Sequence, residues 1–500
     1  MLSAPRSAKP AAMASSDDFR PEARSPHGFQ DRRAADLSAE RAILEAVSGV
    51  YERYGFEQLD TPAFEFADAL GKFLPDSDRP NEGVFALQDS DEQWMALRYD
   101  LTAPLARFAA QNWETLPKPF RRYAFGTVWR NEKPGPGRYR EFIQCDADTV
   151  GSDRPEADAE IVAMAVEALR AAGLPRGAAV MKINSRRLLN GLLDQAAIAD
   201  PTQRLIVLRA ADKLDRLGET GVRDLLGKGR LDESGDFTKG AGLGAAAIDA
   251  VLAFLGAGGG ARAEALRKLE PVVGASAEGA AGLEDLARID AALNGMGVAE
   301  DDARFDPAVV RGLEYYTGAV YEAELIAPGA QRVSLGSVGG GGRYDDLVAR
   351  FTGSRTPATG FSFGVSRLAT ALRTFDWLRG EASAARGPVV VAVFDPALMG
   401  DYFAVAAELR NAGVAAEVYL GSSGLKAQMK YADRRGSPAV VIIGGDELAA
   451  GTATVKDLDL GRQLAAGVTD NLAWREGRPG QFTVARAELV PAVRKIVQGG

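Results

Sequence analysis

The sequence predicts an α/β protein of at least two domains: a larger, strand-rich one carrying a helical stretch, and a smaller one of alternating strands and helices. Three observations carry this expectation. The chain has 500 residues, more than the roughly 250–300 that one core fills. Residues 120–130 and 138–150 read as two strands joined by the tip Lys133-Pro134-Gly135-Pro136-Gly137, a long-tipped hairpin. From residue 388, short apolar runs alternate with helical stretches, as in a small parallel α/β domain.

Hydrophobic residues make up 46% and charged residues 25%, which excludes a wholly disordered or fibrous chain. No apolar run reaches the roughly 18 residues that a membrane-spanning helix needs. Lys and Arg number 59 against 68 Asp and Glu, a net charge of −9, so any nucleic-acid contact must be local. One cysteine, Cys145, rules out an internal disulfide. One histidine, His27, rules out a multi-histidine metal site.

Residues 1–24 are rich in Ala, Ser and Pro without an apolar stretch, and read as a disordered tail. Residues 37–54 place Ile43, Leu44, Val47, Val50, Tyr51 and Tyr54 at helical spacing, with Ser38 as a candidate cap. A short strand follows at 56–62, then a helix at 104–111 with Pro104 in its first turn. After the hairpin come a helix at 161–172 and a strand at 180–184. Residues 186–297 shift to Ala, Gly, Leu and scattered charge, the pattern of a helical insertion. Strands return at 315–325 and 334–338. The run Gly339–Gly342 invites a tight bend that lets backbones approach closely. A helix at 343–351, a buried strand at 360–364, a helix at 365–375 and a linker at 379–387 lead to the terminal domain.

Period-two alternation puts Arg140, Phe142, Gln144, Asp146 and Asp148 on one strand face, and Glu141, Ile143, Cys145, Ala147 and Thr149 on the other. The second face suits burial. The first mixes charge with an aromatic ring, over a length that suits an extended ligand. Arg130, Glu132, Arg138 and Arg140 flank the hairpin tip, and arginines at this density favour bidentate phosphate contact. There is neither a GxxxxGK[ST] motif nor a GxGxxG opening a βαβ unit, so a bound nucleotide would be held without a Walker loop.

These residues add up to a resemblance. Arg98-Tyr99-Asp100-Leu101-Thr102-Ala103-Pro104 and the hairpin through Gln144 resemble the motif 2 region of class II aminoacyl-tRNA synthetases. Arg311-Gly312-Leu313-Glu314-Tyr315-Tyr316-Thr317-Gly318 and Gly340-Gly341-Gly342-Arg343-Tyr344-Asp345 are similar to two signatures of the histidyl-tRNA synthetase family. Residues 360–368 resemble motif 3, and 37–62 resemble motif 1, which supplies dimer contacts in this class.

The resemblance implies a class II synthetase-like, antiparallel-sheet catalytic domain (25–185 and 298–378), a helical insertion (186–297) and a C-terminal anticodon-binding α/β domain (388–500). It implies that Asp100, Leu101 and Thr102 sit where the family holds its amino acid, with Gln144 near the α-amino group, and that Asp148 and Tyr316, beside Tyr315, read the imidazole of histidine. Arg130 and Arg367 would grip ATP, Phe142 would stack on adenine, and Glu132 would reach the base or the phosphates. Arg311 would stabilise the α-phosphate, so Arg130, Arg311 and Arg367 are the implied catalytic set and Arg130 and Arg311 also border histidine. Arg138, and Lys426, Lys430 and Arg434 on one helix face, would meet tRNA. Histidine, ATP, Mg²⁺, tRNA(His), a homodimer, no membrane and a cytoplasmic setting follow from the same likeness. Ser366 stands where motif 3 often has Glu, and Asp100 and Asp148 where bacterial relatives commonly have Glu. The alternative is a synthetase-like, non-catalytic regulatory subunit of ATP phosphoribosyltransferase that senses histidine. That paralogue generally lacks the terminal domain and erodes the ATP arginines.

Overall fold

The computed structural model describes residues 20–73, 83–135, 138–231, 235–310, 312, 316–326, 334–375, 377, 386–465 and 480–498. Most of the tail expected at 1–24 lies outside these residues, as does most of the 379–387 linker. The chain divides into two compact units, Met1–Leu378 and Arg379–Gly500.

The first unit opens with α1 (Ala34–Arg53) and β1 (Glu57–Gln58). Ser38 does not cap α1. The helix starts one turn earlier, where the Asp36 carboxylate accepts the Arg33 amide at 3.2 Å. β2 (Phe64–Phe66), β3 (Ala86–Gln88) and β4 (Trp94–Leu97) form a small sheet in the order β2-β4-β3. Then come α2 (Thr102–Asn112), the hairpin strands β5 (Phe120–Trp129) and β6 (Glu141–Val150), α3 (Pro155–Ala171) and β7 (Ala179–Ser185). The insertion follows as α4 (Arg186–Gln195), α5 (Pro201–Ala211), α6 (Leu214–Leu226), α7 (Ala245–Leu255), α8 (Arg262–Val273) and α9 (Ala277–Gly295). It also holds a two-stranded ribbon, β8 (Gly229–Leu231) with β9 (Phe237–Lys239), too short to leave an alternating signal. β10 (Ala303–Phe305), β11 (Ala319–Ile326), β12 (Ser334–Arg343), α10 (Ala349–Thr352), β13 (Ala358–Gly364) and α11 (Val365–Thr374) complete the unit.

The main sheet has eight strands in the order β1-β5-β6-β13-β12-β11-β7-β10. Its interior pairs are antiparallel; only the outermost pairs, β1 with β5 and β10 with β7, run parallel. One face packs on α1 and α3, whose Ile43, Val47, Val50, Ile161, Val162 and Ala165 join Cys145 and Ala147 of β6 in one apolar core. Phe142, Gln144 and Asp146 of β6 line a cavity on the other face. The alternation along β6 therefore divides core from cleft as the sequence pattern requires.

Two local expectations need correction. Gly339–Gly342 make no bend; they are the middle of β12, paired with β11 on one side and β13 on the other. A Cβ on Gly341 would stand 2.0 Å from the Gly360 carbonyl oxygen, and one on Gly339 2.7 Å from the Phe361 ring. Side chains have no room there, which keeps the cleft floor flat. Nor does a helix span 343–351. Arg343 still pairs with Thr359 at the end of β12, held by an ion pair to Asp158 at 2.6 Å, and only Ala349–Thr352 is helical.

The second unit runs β14 (Val389–Val391), α12 (Met399–Asn411), β15 (Ala416–Val418), α13 (Leu425–Arg434), β16 (Ala439–Ile442), α14 (Gly445–Ala450), β17 (Thr452–Asp457), α15 (Leu458–Ala465), β18 (Gln481–Ala485) and a closing helix, Leu489–Val497. Its sheet order is β15-β14-β16-β17-β18. The first three strands form the expected parallel layer, and β17 and β18 extend it antiparallel.

Candidate active site

The cavity on the open face of the main sheet measures about 1310 Å³. Its walls come from the hairpin, the loop before α2, the glycine strand β12, β13, α11 and the end of α5. At one end, the Arg130 guanidinium lies 4.4 Å from the Tyr99 ring centre and 5.2 Å from that of Phe142. Its Nε donates to the Tyr99 carbonyl at 3.4 Å. The Tyr99 hydroxyl in turn donates to Glu132 at 3.0 Å. Arg130 thus lies against two aromatic rings with a carboxylate nearby, an arrangement suited to a planar base and its phosphates. Arg367 and Arg138 line the same cavity, and so do Gly339, Gly340 and Gly341.

The other end is built from carboxylates. Asp100 turns the chain into α2 by accepting the amides of Thr102 at 3.1 Å and Ala103 at 2.9 Å. Burial raises its carboxyl above the usual range, against the pull of those amides and of Arg130. Thr102, Gln144 and Tyr316 line the cavity beside it, whereas Leu101 is buried and offers only its main chain. Gln144 donates from Nε2 to Ser362 at 2.7 Å, and its Oε1 has no hydrogen-bond donor.

Asp148 lies behind the lining rather than on it. It is 2% exposed, accepts the Tyr344 hydroxyl, and stands 3.0 Å from Arg122 across the hairpin. Arg122 is fully buried and also donates to the Leu101 carbonyl at 2.8 Å, tying β5 to the loop that carries Asp100 and Thr102. Burial raises the carboxyls of Asp146 and Asp148 above the ordinary range, and Arg122 opposes this.

Reading the sequence missed Arg122, Tyr344, Ser362 and the site position of Asp146. The hairpin pattern held a signal for one of them, because its register sets Arg122 directly opposite Asp148. It also missed Arg209 and Lys213, by which the insertion reaches the cleft. Ser366 hydrogen-bonds Glu40 of α1 at 2.7 Å, joining α11 to α1 at the cleft edge. Arg311 and Tyr315 lie outside the described residues. Cys145 is buried in the core, and burial raises its thiol. His27 is exposed and contributes only a main-chain contact to Arg140. Lys426, Lys430 and Arg434 project from the exposed side of α13, whose Gln428 and Ala432 are buried.

The chain is similar to known proteins over nearly its whole length. Residues 28–368 match the family model described as histidyl-tRNA synthetase, and residues 388–496 match that of an anticodon binding domain. A histidine--tRNA ligase of Caulobacter vibrioides is 72% identical over 487 residues, covering 96% of this chain and 98% of that protein. One of Brucella ovis is 54% identical over 485 residues, covering 95% and 96%. The solved structure of histidyl-tRNA synthetase from Nostoc sp. PCC 7120 superposes with a TM-score of 0.70 at 29% identity, covering 95% of this chain and all of that one.

Proposed function

The chain belongs to the histidyl-tRNA synthetase family, and on that premise we propose how its sheet cleft activates histidine with ATP and passes the histidyl group to the 3′ end of tRNA(His). The observation that carries the reading is the polarity of the cavity. Arginine and aromatic rings stand at one end, Asp100, Gln144 and Asp146 at the other, and the side-chain-free glycine strand lines the cavity two strands over from β6, across β13.

ATP lies at the first end. Phe142 stacks on adenine, Glu132 reaches the base or the phosphates, and Arg130 and Arg367 grip the phosphates. Histidine lies at the second end, its α-amino group toward Gln144 and the Asp100–Thr102 loop. Tyr316 and the Asp148 layer close around its ring, beside Tyr315. The histidine carboxylate attacks the α-phosphorus in line, and the bond to pyrophosphate breaks. The terminal ribose hydroxyl of tRNA then attacks the adenylate carbonyl and AMP leaves. Neither step needs a nucleophile from the protein, in keeping with a buried Cys145 and an exposed His27. Positioning and the cancellation of developing charge by Arg130, Arg367 and Arg311 supply the catalysis.

Mg²⁺ would add to that neutralisation when bound. No group of three or more His, Cys, Asp or Glu side chains suited to a metal occurs among the described residues. Glu132 on the cavity lining would be a carboxylate to help hold such an ion beside the phosphates.

Arg138 at the hairpin meets the acceptor end of the tRNA, and the exposed Lys426, Lys430 and Arg434 meet its anticodon side. A second copy of the chain would pair through residues 37–62, the motif 1-like segment that includes most of α1. No helix among the described residues is long and apolar enough to cross a membrane, and we propose a cytoplasmic setting, where tRNA and ATP are supplied. The regulatory-subunit alternative is not favoured, because the terminal domain is present and full-length relatives are ligases.

Pyrophosphate exchange with Arg367→Ala, a residue placed only with ATP, tests the two ends. The expected result is a strongly raised KM for ATP or a lowered kcat, with histidine affinity by calorimetry unchanged. Loss of histidine binding at unchanged ATP kinetics would reverse the orientation.

A further inference from the structure

Pairing between β6 and β13 stops at Gln144 and Gly364, where β13 gives way to α11. Just beyond, the Ile143 amide donates to the hydroxyl of Ser366, in the first turn of α11, at 3.4 Å. Ser366 thus continues the ladder one step past the last strand residue. The same hydroxyl donates to Glu40 of α1 at 2.7 Å, 326 residues away in the chain. Glu40 is 4% exposed, and its second oxygen accepts the Arg32 guanidinium at 2.8 Å. Arg32, Glu40, Ser366 and the Ile143 amide therefore form one chain of hydrogen bonds that runs from the helix layer to the sheet.

A serine hydroxyl has one proton and can turn it several ways, including back onto the backbone of its own turn. A carboxylate only accepts, so Glu40 takes that proton and leaves the hydroxyl's lone pairs for the Ile143 amide. The residues beside this junction are two that we place on ATP. Phe142 precedes Ile143, Arg367 follows Ser366, and both line the cavity. The orientation of one hydroxyl therefore fixes the start of α11, and Arg367 with it, against the strand that carries Phe142. The two helices also meet through an ion pair between Asp36 and Arg373, but that pair is partly exposed on both sides and holds the far end of α11 only weakly.

We propose that Glu40 is a positioning residue for ATP: from α1, and through Ser366, it sets the distance between Arg367 and Phe142. The proposal rests on the reading that these two residues hold ATP in this cleft. Glu40 is buried behind Ser366, which lines the cavity, so it acts through the hydroxyl and not on the nucleotide. Histidine, held at the carboxylate end, does not depend on this junction.

The test uses Glu40→Gln, Ser366→Ala and the double variant in the full chain, with pyrophosphate exchange for the ATP KM and calorimetry for histidine affinity. Glu40→Gln keeps the volume but has one acceptor oxygen, which Arg32 claims; its amide then donates to Ser366 and occupies the lone pairs that Ile143 needs. Its ATP KM should rise about 5- to 15-fold, the size of one hydrogen bond, with histidine affinity within about twofold of wild type. Ser366→Ala breaks the same junction from the cleft side, should match it, and serves alone if Glu40→Gln folds poorly. The double variant should be no worse than either single, because both remove one linkage. An ATP KM within about twofold of wild type, histidine weakened as much as ATP, or effects that multiply in the double variant would overturn the proposal. A wild-type protein that exchanges no pyrophosphate with histidine would instead defeat the ATP reading on which it rests.

Discussion

Arg122→Met removes the one guanidinium that the buried carboxylate layer relies on, while leaving a side chain of similar reach. Arg122 stands 3.0 Å from Asp148 and donates to the Leu101 carbonyl at 2.8 Å, with no exposed surface. Removing one member of a buried ion pair costs about 3–5 kcal/mol, because the other charge is left uncompensated. The lost hydrogen bond to Leu101 adds about 1 kcal/mol. The sign with pH follows from the carboxyls. In the folded state those of Asp146 and Asp148 already sit above their ordinary value, and losing the cation lifts them further. Groups with raised folded-state values stabilise the fold when protonated, and that contribution fades as pH rises through the raised value. The penalty should therefore be largest near pH 8 and shrink toward pH 5. Urea unfolding followed by tryptophan fluorescence reads it, since Trp94, Trp113 and Trp129 belong to the first unit. Adding Asp148→Asn should return about half or more of the loss, because the stranded charge goes with it. A loss below about 1 kcal/mol would refute the reasoning, since it lies far under the cost of a stranded buried charge. Equal losses at both pH values would refute it too.

Three further outcomes are expected. Asp146→Asn should unfold at a higher temperature than wild type at pH 8, with the gap closing toward pH 4, since burial raises the wild-type carboxyl and its charged form burdens the fold; a gap independent of pH would contradict this. Gly341→Ala should abolish soluble, active protein or cut activity more than about tenfold, because its Cβ would sit 2.0 Å from a neighbouring carbonyl oxygen; wild-type melting and exchange rates would contradict the flat-floor argument. Ser366→Ala should cost about 1 kcal/mol through the lost bond to Glu40, read by urea titration; no change would show that this contact between α11 and α1 carries no stability.

Much of this architecture was legible because it follows from period and punctuation. The hairpin strands and their two faces came from alternation alone, and Cys145 and Ala147 do face the core while Phe142 and Gln144 face the cleft. The glycine run misled because four glycines carry no hydrophobic pattern; only the clash with Gly360 and Phe361 reveals a strand pressed between neighbours. β18 was overlooked because this edge strand, Gln481–Ala485, is half exposed and does not read as an apolar run. Resemblance pointed at Asp148 as a ligand-reading carboxylate, but it could not show that Tyr344 and Arg122 already attend it while Asp146 faces the cavity. That distinction depends on contacts up to 196 residues apart in the chain, which no local pattern records.

The most direct test is histidine-dependent exchange of labelled pyrophosphate into ATP, run with each amino acid in turn and followed by charging of tRNA(His). Exchange with histidine alone, and histidyl-tRNA formed when the tRNA is added, is the predicted result. A well-folded protein that binds histidine but exchanges no pyrophosphate would mean that the arginine end of the cleft does not activate the amino acid at all.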